Sequence, residues 1–184
     1  MKKYSTQNEL LLSKLLEYYN NLENLEKMLL IITGKSLISL RIIDWFVTNY
    51  SKKNFTLYDI ELNDKTNRFK IYEDYKLKLK AYSKRRFDPF CRWERIEIPY
   101  KEGKCIETTL GQLNFFKWAL ENNVIQYIEE NYEDIEIDMN NRNSSSRKKE
   151  LIDNSKTRKK REELSISAIK SIKKEDIEII IKFN

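Results

Sequence analysis

The segment KAYSKRRFDPFCRWERI, Lys80 to Ile96, sets Lys84, Arg85, Arg86, Arg92 and Arg95 among Phe87, Phe90, Trp93, Pro89 and Cys91. Guanidinium and ammonium groups beside aromatic planes are what a protein needs to hold a phosphate chain while its bases stack. On that reading Lys78, Lys80, Lys84, Arg85, Arg86, Arg92 and Arg95 contact phosphates, and Tyr82 or Trp93 offers a stacking face. A second reading uses the same residues differently: Phe87, Phe90 and Trp93 anchor an irregular connection, Pro89 sets its turn, and Asp88 pairs with an arginine. The direction in which the rings point separates the two.

A second cationic region lies nearer the C-terminus, where Arg147, Lys148 and Lys149 and then Arg158, Lys159, Lys160 and Arg161 form two clusters. Such a segment tracks phosphates without sequence preference, serves as a nuclear import signal, or is simply a solvated linker. Catalytic patterns are weaker. Asp74-Tyr75-Lys76, with Asp59 or Asp64 upstream, has the outline of a metal-dependent nuclease, but a tripeptide of this kind arises often by chance in a chain that is 35% charged. Gly34-Lys35-Ser36 lacks the earlier glycine of a phosphate-binding loop, because position 29 is leucine, and no strand precedes it. Asp44, within an apolar stretch, is expected to be satisfied by Arg41 or an internal donor.

Composition narrows the chemistry further. The chain has no histidine and two cysteines, Cys91 and Cys105, so structural zinc and the Ser-His-Asp and Cys-His nucleophile systems are excluded. The expectation is a protein that is not an enzyme, with no cofactor and no metal. Neither a signal-peptide core nor an apolar run of about 20 residues occurs, which predicts a soluble intracellular protein with free thiols and no membrane partner.

The 184 residues suit one domain with appendages, and 8 Phe, 11 Tyr and 3 Trp supply a core. A formal net charge of +6 conceals three blocks. Residues 76–95 carry eight Lys/Arg against two acids, 121–138 carry seven acids and no base, and 139–163 carry nine Lys/Arg against four acids. If the acidic block faced the first basic block in the fold, the cations would be neutralised internally.

The elements that must position these groups follow from periodicity. Leu11, Leu15, Tyr18, Leu22, Leu25, Leu29 and Ile32 form one seam of a long N-terminal helix, with Asn20, Asn21 and Asn24 on the way. Gly34 ends it and Ser36 caps a buried helix from Leu37 to Tyr50. Phe55–Leu62 reads as a strand, and Arg68 to Tyr82 as its hairpin partner, with a helix from about Glu73 to Ser83 as the other reading of its second half. RIEIPY and CIET read as strands, with Ile96 and Ile98 inward. Thr109 and Gln112 have capping-box spacing at the start of a third helix, and VIQYIEENY forms a fourth. The polar stretch from Asn140 is expected to be disordered, and Ile177–Phe183 to form a terminal strand docked through Ile177, Ile179 and Ile181.

GKSLISLRIIDWFVTNYSKKN, LKAYSKRRFDPFCRWERI and ETTLGQLNFFKWALENNVIQYI together resemble an uncharacterised, iridovirus-like protein family of nucleocytoplasmic large DNA viruses. The resemblance runs from about Thr33 to Met139 and extends to RKKREELSISA and the terminal strand, leaving the N-terminal helix outside it. It implies a viral protein made in infected cells and carries over no activity.

These readings combine into an α+β protein: a small antiparallel sheet flanked by helices, a long N-terminal helix, a basic flexible segment and a C-terminal strand. The expected divisions are an N-terminal helix over 1–33, a core domain over 34–139, a basic flexible linker over 140–163 and a C-terminal segment over 164–184. The expected function is that of a non-enzymatic nucleic-acid-associated accessory protein of a large DNA virus, with DNA or RNA as partner. Its candidate contacts are Lys80, Tyr82, Lys84, Arg85, Arg86, Arg92, Trp93, Arg95, Arg147, Lys148, Lys149, Arg158, Lys159, Lys160 and Arg161. The expected location is the host cytoplasm or nucleus, or the virion. The alternative is a virion-associated assembly protein that forms a homo-oligomer or meets a viral partner through the N-terminal helix and terminal strand.

Overall fold

In the computed structural model, which describes residues 6–62, 65–100, 104–152 and 174–176, the predicted N-terminal helix is two helices. α1 (Gln7–Tyr19) opens with the Thr6 hydroxyl accepting from the Glu9 amide, and α2 (Leu22–Ile32) restarts with the Asn21 side chain accepting from Glu23 N. Asparagine is a weak helix former and a strong N-cap, so Asn20-Asn21 breaks the seam and starts it again. The break lets both halves fold onto one core: Leu15, Leu25, Leu29 and Ile32 are buried, while Leu22 at the joint is 44% exposed.

Gly34 takes φ 72 after the α2 C-cap at Thr33, the left-handed turn expected of it. The next cap is Ser39, whose Oγ accepts from Ile42 N, not Ser36, whose Oγ accepts from Ile38 N and closes a turn. The predicted helix from Leu37 therefore begins at α3 (Leu40–Trp45), passes through a π-helical turn at Phe46–Tyr50 and ends in α4 (Ser51–Lys53). Leu37, outside the helix, is 91% exposed.

β1 (Leu57–Leu62) and β2 (Lys65–Lys70) form an antiparallel hairpin with Tyr58 opposite Phe69. Ile60 and Phe69 are buried, whereas Phe55, predicted to begin the strand, lies outside it and is 85% exposed. The chain then turns helical in α5 (Ile71–Tyr82), the second of the two sequence readings. β3 (Arg95–Pro99) and β4 (Lys104–Thr109) pair antiparallel with Ile98 opposite Ile106, both buried. A short β5 (Lys174–Asp176) adds to β4. Residues 177–183, where the sequence placed the terminal strand, lie outside the described residues.

α6 (Leu110–Glu121) runs through the middle of the molecule, with Leu113, Phe115, Phe116 and Ala119 fully enclosed. Phe115 and Trp118 meet Phe87 and Tyr75 at centroid distances from 5.5 to 6.3 Å, and Tyr19 donates to Leu113 O at 2.8 Å. Burying each such ring stabilises the fold by roughly 1.5–3 kcal/mol. α7 (Val124–Glu130) and α8 (Tyr132–Ile152) follow. α8 continues past Asn140, so the first part of the segment expected to be a flexible linker is helical as far as Ile152. The result is an α+β fold with helices around two small antiparallel sheets.

Candidate nucleic-acid interface

The basic-aromatic segment forms the connection between α5 and β3, bracketed by Ser83 (φ 64) and Glu94 (φ 46). A non-glycine residue in this left-handed region costs about 1–2 kcal/mol, so the surrounding contacts must hold the loop firmly. They do. From α6 and the residues that enter it, Gln112 Nε2 donates to Pro89 O at 3.0 Å and Asn114 Nδ2 to Arg86 O at 2.8 Å. Thr109 Oγ1 donates to Cys91 O at 3.2 Å, and Thr108 Oγ1 donates to Gln112 Oε1 at 3.1 Å, orienting that amide. The predicted cap is present, since Thr109 Oγ1 accepts from Gln112 N. The Gln112 side chain, however, turns to the loop. Gly111 is needed for this approach: a Cβ there would lie 2.9 Å from Cys91 Cβ and 3.0 Å from Arg85 O.

The two readings of the loop divide between its rings. Phe87 is fully enclosed and Phe90 half-buried, as anchors should be, but Trp93 is 54% exposed. Arg85 lies over the outer Trp93 ring at 4.4 Å, a cation–π contact on the surface. Tyr82 is half-buried and stacks on Phe87 at 6.1 Å, so that inner face is already occupied. Arg86 Nη1 donates to Gln7 Oε1 of α1 at 3.2 Å, a neutral partner that leaves its charge uncompensated. Lys80, Tyr82, Arg85, Arg86 and Trp93 line one cavity of about 330 Å³.

Asp88 does not pair with an arginine; its Oδ1 accepts from Phe90 N at 2.8 Å and closes the turn at Pro89. Burial raises its pKa, against the lowering effects of that amide and Lys84. Asp44 is not paired with Arg41: burial, then the nearby Asp88 charge, push it up to about 6, and Lys84 opposes them. Arg95 meets Glu107 at 3.2 Å from the paired strands β3 and β4, which makes it less available than Lys80, Lys84, Arg85, Arg86 and Arg92. Lys80, Lys84, Arg85, Arg86 and Arg92 form no ion pair with another described residue.

The acidic block lies elsewhere. Glu129, Glu130, Glu133 and Asp134 line grooves beside Leu37 and Leu30, and Asp138 receives Lys53 together with the Trp45 indole, at 3.0 Å from the latter. Arg147, Lys148 and Lys149 belong to the last turns of α8, and Arg158, Lys159, Lys160 and Arg161 lie outside the described residues. In the nuclease outline, Asp74 accepts the Trp118 indole N–H at 2.6 Å and Asp59 sits 3.8 Å from Arg68. Asp64 is outside the described residues. Among the described residues no cluster of three or more Cys, Asp or Glu is placed to hold a metal, and no helix is long and apolar enough to cross a membrane. Cys91 is buried and Cys105 half-buried, both as free thiols.

Sequence reasoning missed Gly111, Gln112 and Asn114 as the residues that hold the basic-aromatic loop. Gln112 was visible only as the partner of Thr109 in a capping box and the other two only as part of the apolar run of α6, and the loop partners of Gln112 and Asn114 lie more than 20 residues away.

Compared with known proteins, the model of a family described as a family of unknown function, DUF7197, matches residues 1–184. The chain is similar to the uncharacterized protein L507 of Acanthamoeba polyphaga mimivirus, 46% identical over 127 residues. That match takes in 66% of this chain and 49% of L507, so the chain spans about half the length of this curated relative. No solved structure matches it. These similarities agree with the viral resemblance at the level of an uncharacterised viral family.

Proposed function

Because the chain belongs to the family of unknown function DUF7197, a membership that names no activity, we propose its role from the geometry of the interface. It is a non-enzymatic nucleic-acid-associated accessory protein of a large DNA virus, iridovirus-like in affinity, working in the host cytoplasm or nucleus or within the virion. It grips the phosphate backbone of DNA or RNA through Lys80, Lys84, Arg85, Arg86 and Arg92, with Trp93 as a stacking face and the basic residues from Arg147 onward as a second contact.

One observation carries this reading: Arg85, Arg92 and Trp93 are exposed on a loop pinned from within, and the loop cations have no described acid as ion-pair partner. Fixed cations beside an exposed ring suit a polyanion whose bases can stack. The assembly reading needs the N-terminal seam as an intermolecular contact, and Leu15, Leu25, Leu29 and Ile32 of that seam are already buried in this chain's own core. That favours the first reading.

The test is fluorescence anisotropy of the full chain with single- and double-stranded DNA and RNA across a salt series. Affinity should fall steeply with salt, and the combined Arg85→Ala, Arg86→Ala, Arg92→Ala variant should flatten the log–log slope by about one for each cation removed. Binding that ignores salt, or a triple variant that binds like the wild type, would overturn the proposal.

A further inference from the structure

We propose that the interface is a continuous track for a single strand, leading from Trp93 along the outer face of α5 to a second aromatic station at Tyr72. The inference deepens the nucleic-acid reading above and rests on it. Tyr72, Lys76 and Lys80 recur every four residues and so stand in one stripe of α5. With Leu77 they line an open groove of about 740 Å³. Lys80 also lines the cavity that holds Arg85 and Trp93, so the two hollows share this residue.

The ends of the track are built alike. At one, the Arg85 guanidinium lies 4.4 Å from the Trp93 ring centre; at the other, Lys52 Nζ lies 5.5 Å from that of Tyr72. Without ligand, each cation rests on its ring. When a strand is present, the cation can turn to a phosphate and leave the ring face to a base, exchanging one favourable contact for two. Between the stations Leu77 is 64% exposed, an apolar surface suited to the face of a base or a sugar. Glu73 is the acid on this groove, and Lys70 sits 3.5 Å from it.

This arrangement selects single strands. In a duplex the base faces are stacked on one another, and neither ring could reach them without unstacking. From Tyr72 to Lys80 the helix advances about 12 Å at ~1.5 Å per residue. At ~3.4 Å per stacked nucleotide this distance accommodates about four nucleotides.

The experiment is anisotropy of the full chain with labelled oligothymidylates from about two to about ten nucleotides long, and with a duplex of the longest length. Affinity should climb until the strand spans both stations and then level off, and the duplex should bind more weakly than the longest single strand. Tyr72→Ala and, separately, Lys76→Glu should each lower affinity for the longest strand by about tenfold, the size of one lost stack or phosphate contact, and should shrink the gain in affinity that comes with strand length. Tyr72 is partly exposed and Lys76 exposed, so both variants should fold, and circular dichroism checks that they do. If Tyr72→Ala and Lys76→Glu bind like the wild type while Arg85→Ala still weakens binding, the track is wrong and the parent reading survives. Equal affinity for duplex and single strand would likewise remove the track and leave the parent reading standing. If no oligonucleotide of any length binds, both fall together.

Discussion

The loop between α5 and β3 carries four Lys/Arg against two acids and the stretch from Glu121 to Asp138 seven acids and no base, and the two are arranged by different means. The loop is irregular and is held by enclosed Phe87 and by amide side chains of α6 that reach its carbonyls. The acidic stretch is mainly helical, held by Ile125, Ile128 and Ile135. In both, apolar anchors decide position and the charges take the remaining directions. Magnitudes explain why attraction does not pull the two together: an exposed ion pair contributes about 0–1 kcal/mol, while one buried ring contributes roughly 1.5–3 kcal/mol. Charge blocks along a chain therefore do not reveal by their signs whether they meet.

The most disruptive test of this contrast is Gly111→Ala. A methyl group there must displace Cys91 or the Arg85 carbonyl, and overpacking of this kind costs about 1–3 kcal/mol. Urea unfolding should report that loss, and affinity for single-stranded DNA should fall with it, because the cations lose their fixed frame. A variant with intact stability and intact binding would show that the loop does not depend on close approach to α6.

A smaller effect is expected at Asp44, which lies under the loop with Asp88, Lys84 and Tyr75 as its charged or titratable neighbours. Its folded pKa, about 6, is above the ordinary value of 3.8. The native state therefore holds a proton more tightly than the unfolded chain, and stability from this group falls as pH rises between those two values. Asp44→Asn should stabilise the protein at neutral pH by on the order of 2 kcal/mol and flatten the decline across that window. Thermal melts from pH 4 to pH 7 check both, and an unchanged slope would remove Asp44 as its source.

The smallest effect is expected on the acidic side. Replacing Glu129, Glu130 and Glu133 together with glutamine should change stability by less than about 0.5 kcal/mol, as for exposed positions without a buried partner. Nucleic-acid affinity at moderate salt should shift by less than about twofold, since unpaired surface charges act beyond a Debye length only weakly. A large gain in affinity would mean that these acids do shield the loop.

Much of the fold could be read from periodicity. The β3–β4 pair and the Thr109 cap of α6 follow from alternation and spacing, and so does the β1–β2 hairpin, although its second strand begins at Lys65, three residues before the predicted Arg68, and ends at Lys70. Three features did not, for identifiable reasons. Asn20-Asn21 interrupts a seam whose apolar rhythm continues unbroken, so the rhythm alone predicted a single helix. Ser36 and Ser39 each accept an amide hydrogen from the residues that follow, and the sequence does not show that the first closes a turn and the second caps a helix. At the interface, charge and aromatic content were visible but ring direction was not: Tyr82, Phe87 and Trp93 have similar surroundings in sequence and different ones in space. The contact between Lys52 and the Tyr72 ring was hidden because Lys52 comes from α4, 20 residues earlier.

The amide clasps from Gln112 and Asn114 have a practical consequence for how the protein meets proteases. Arginine-rich surface loops are ordinarily the first places trypsin cuts, because the backbone must leave its own structure to enter the enzyme's cleft. Here the carbonyls of Arg86 and Pro89 are held by the central helix. Cleavage beside Arg85 and Arg86 should consequently wait for opening of the core itself, making resistance to digestion at these bonds a direct gauge of global folding.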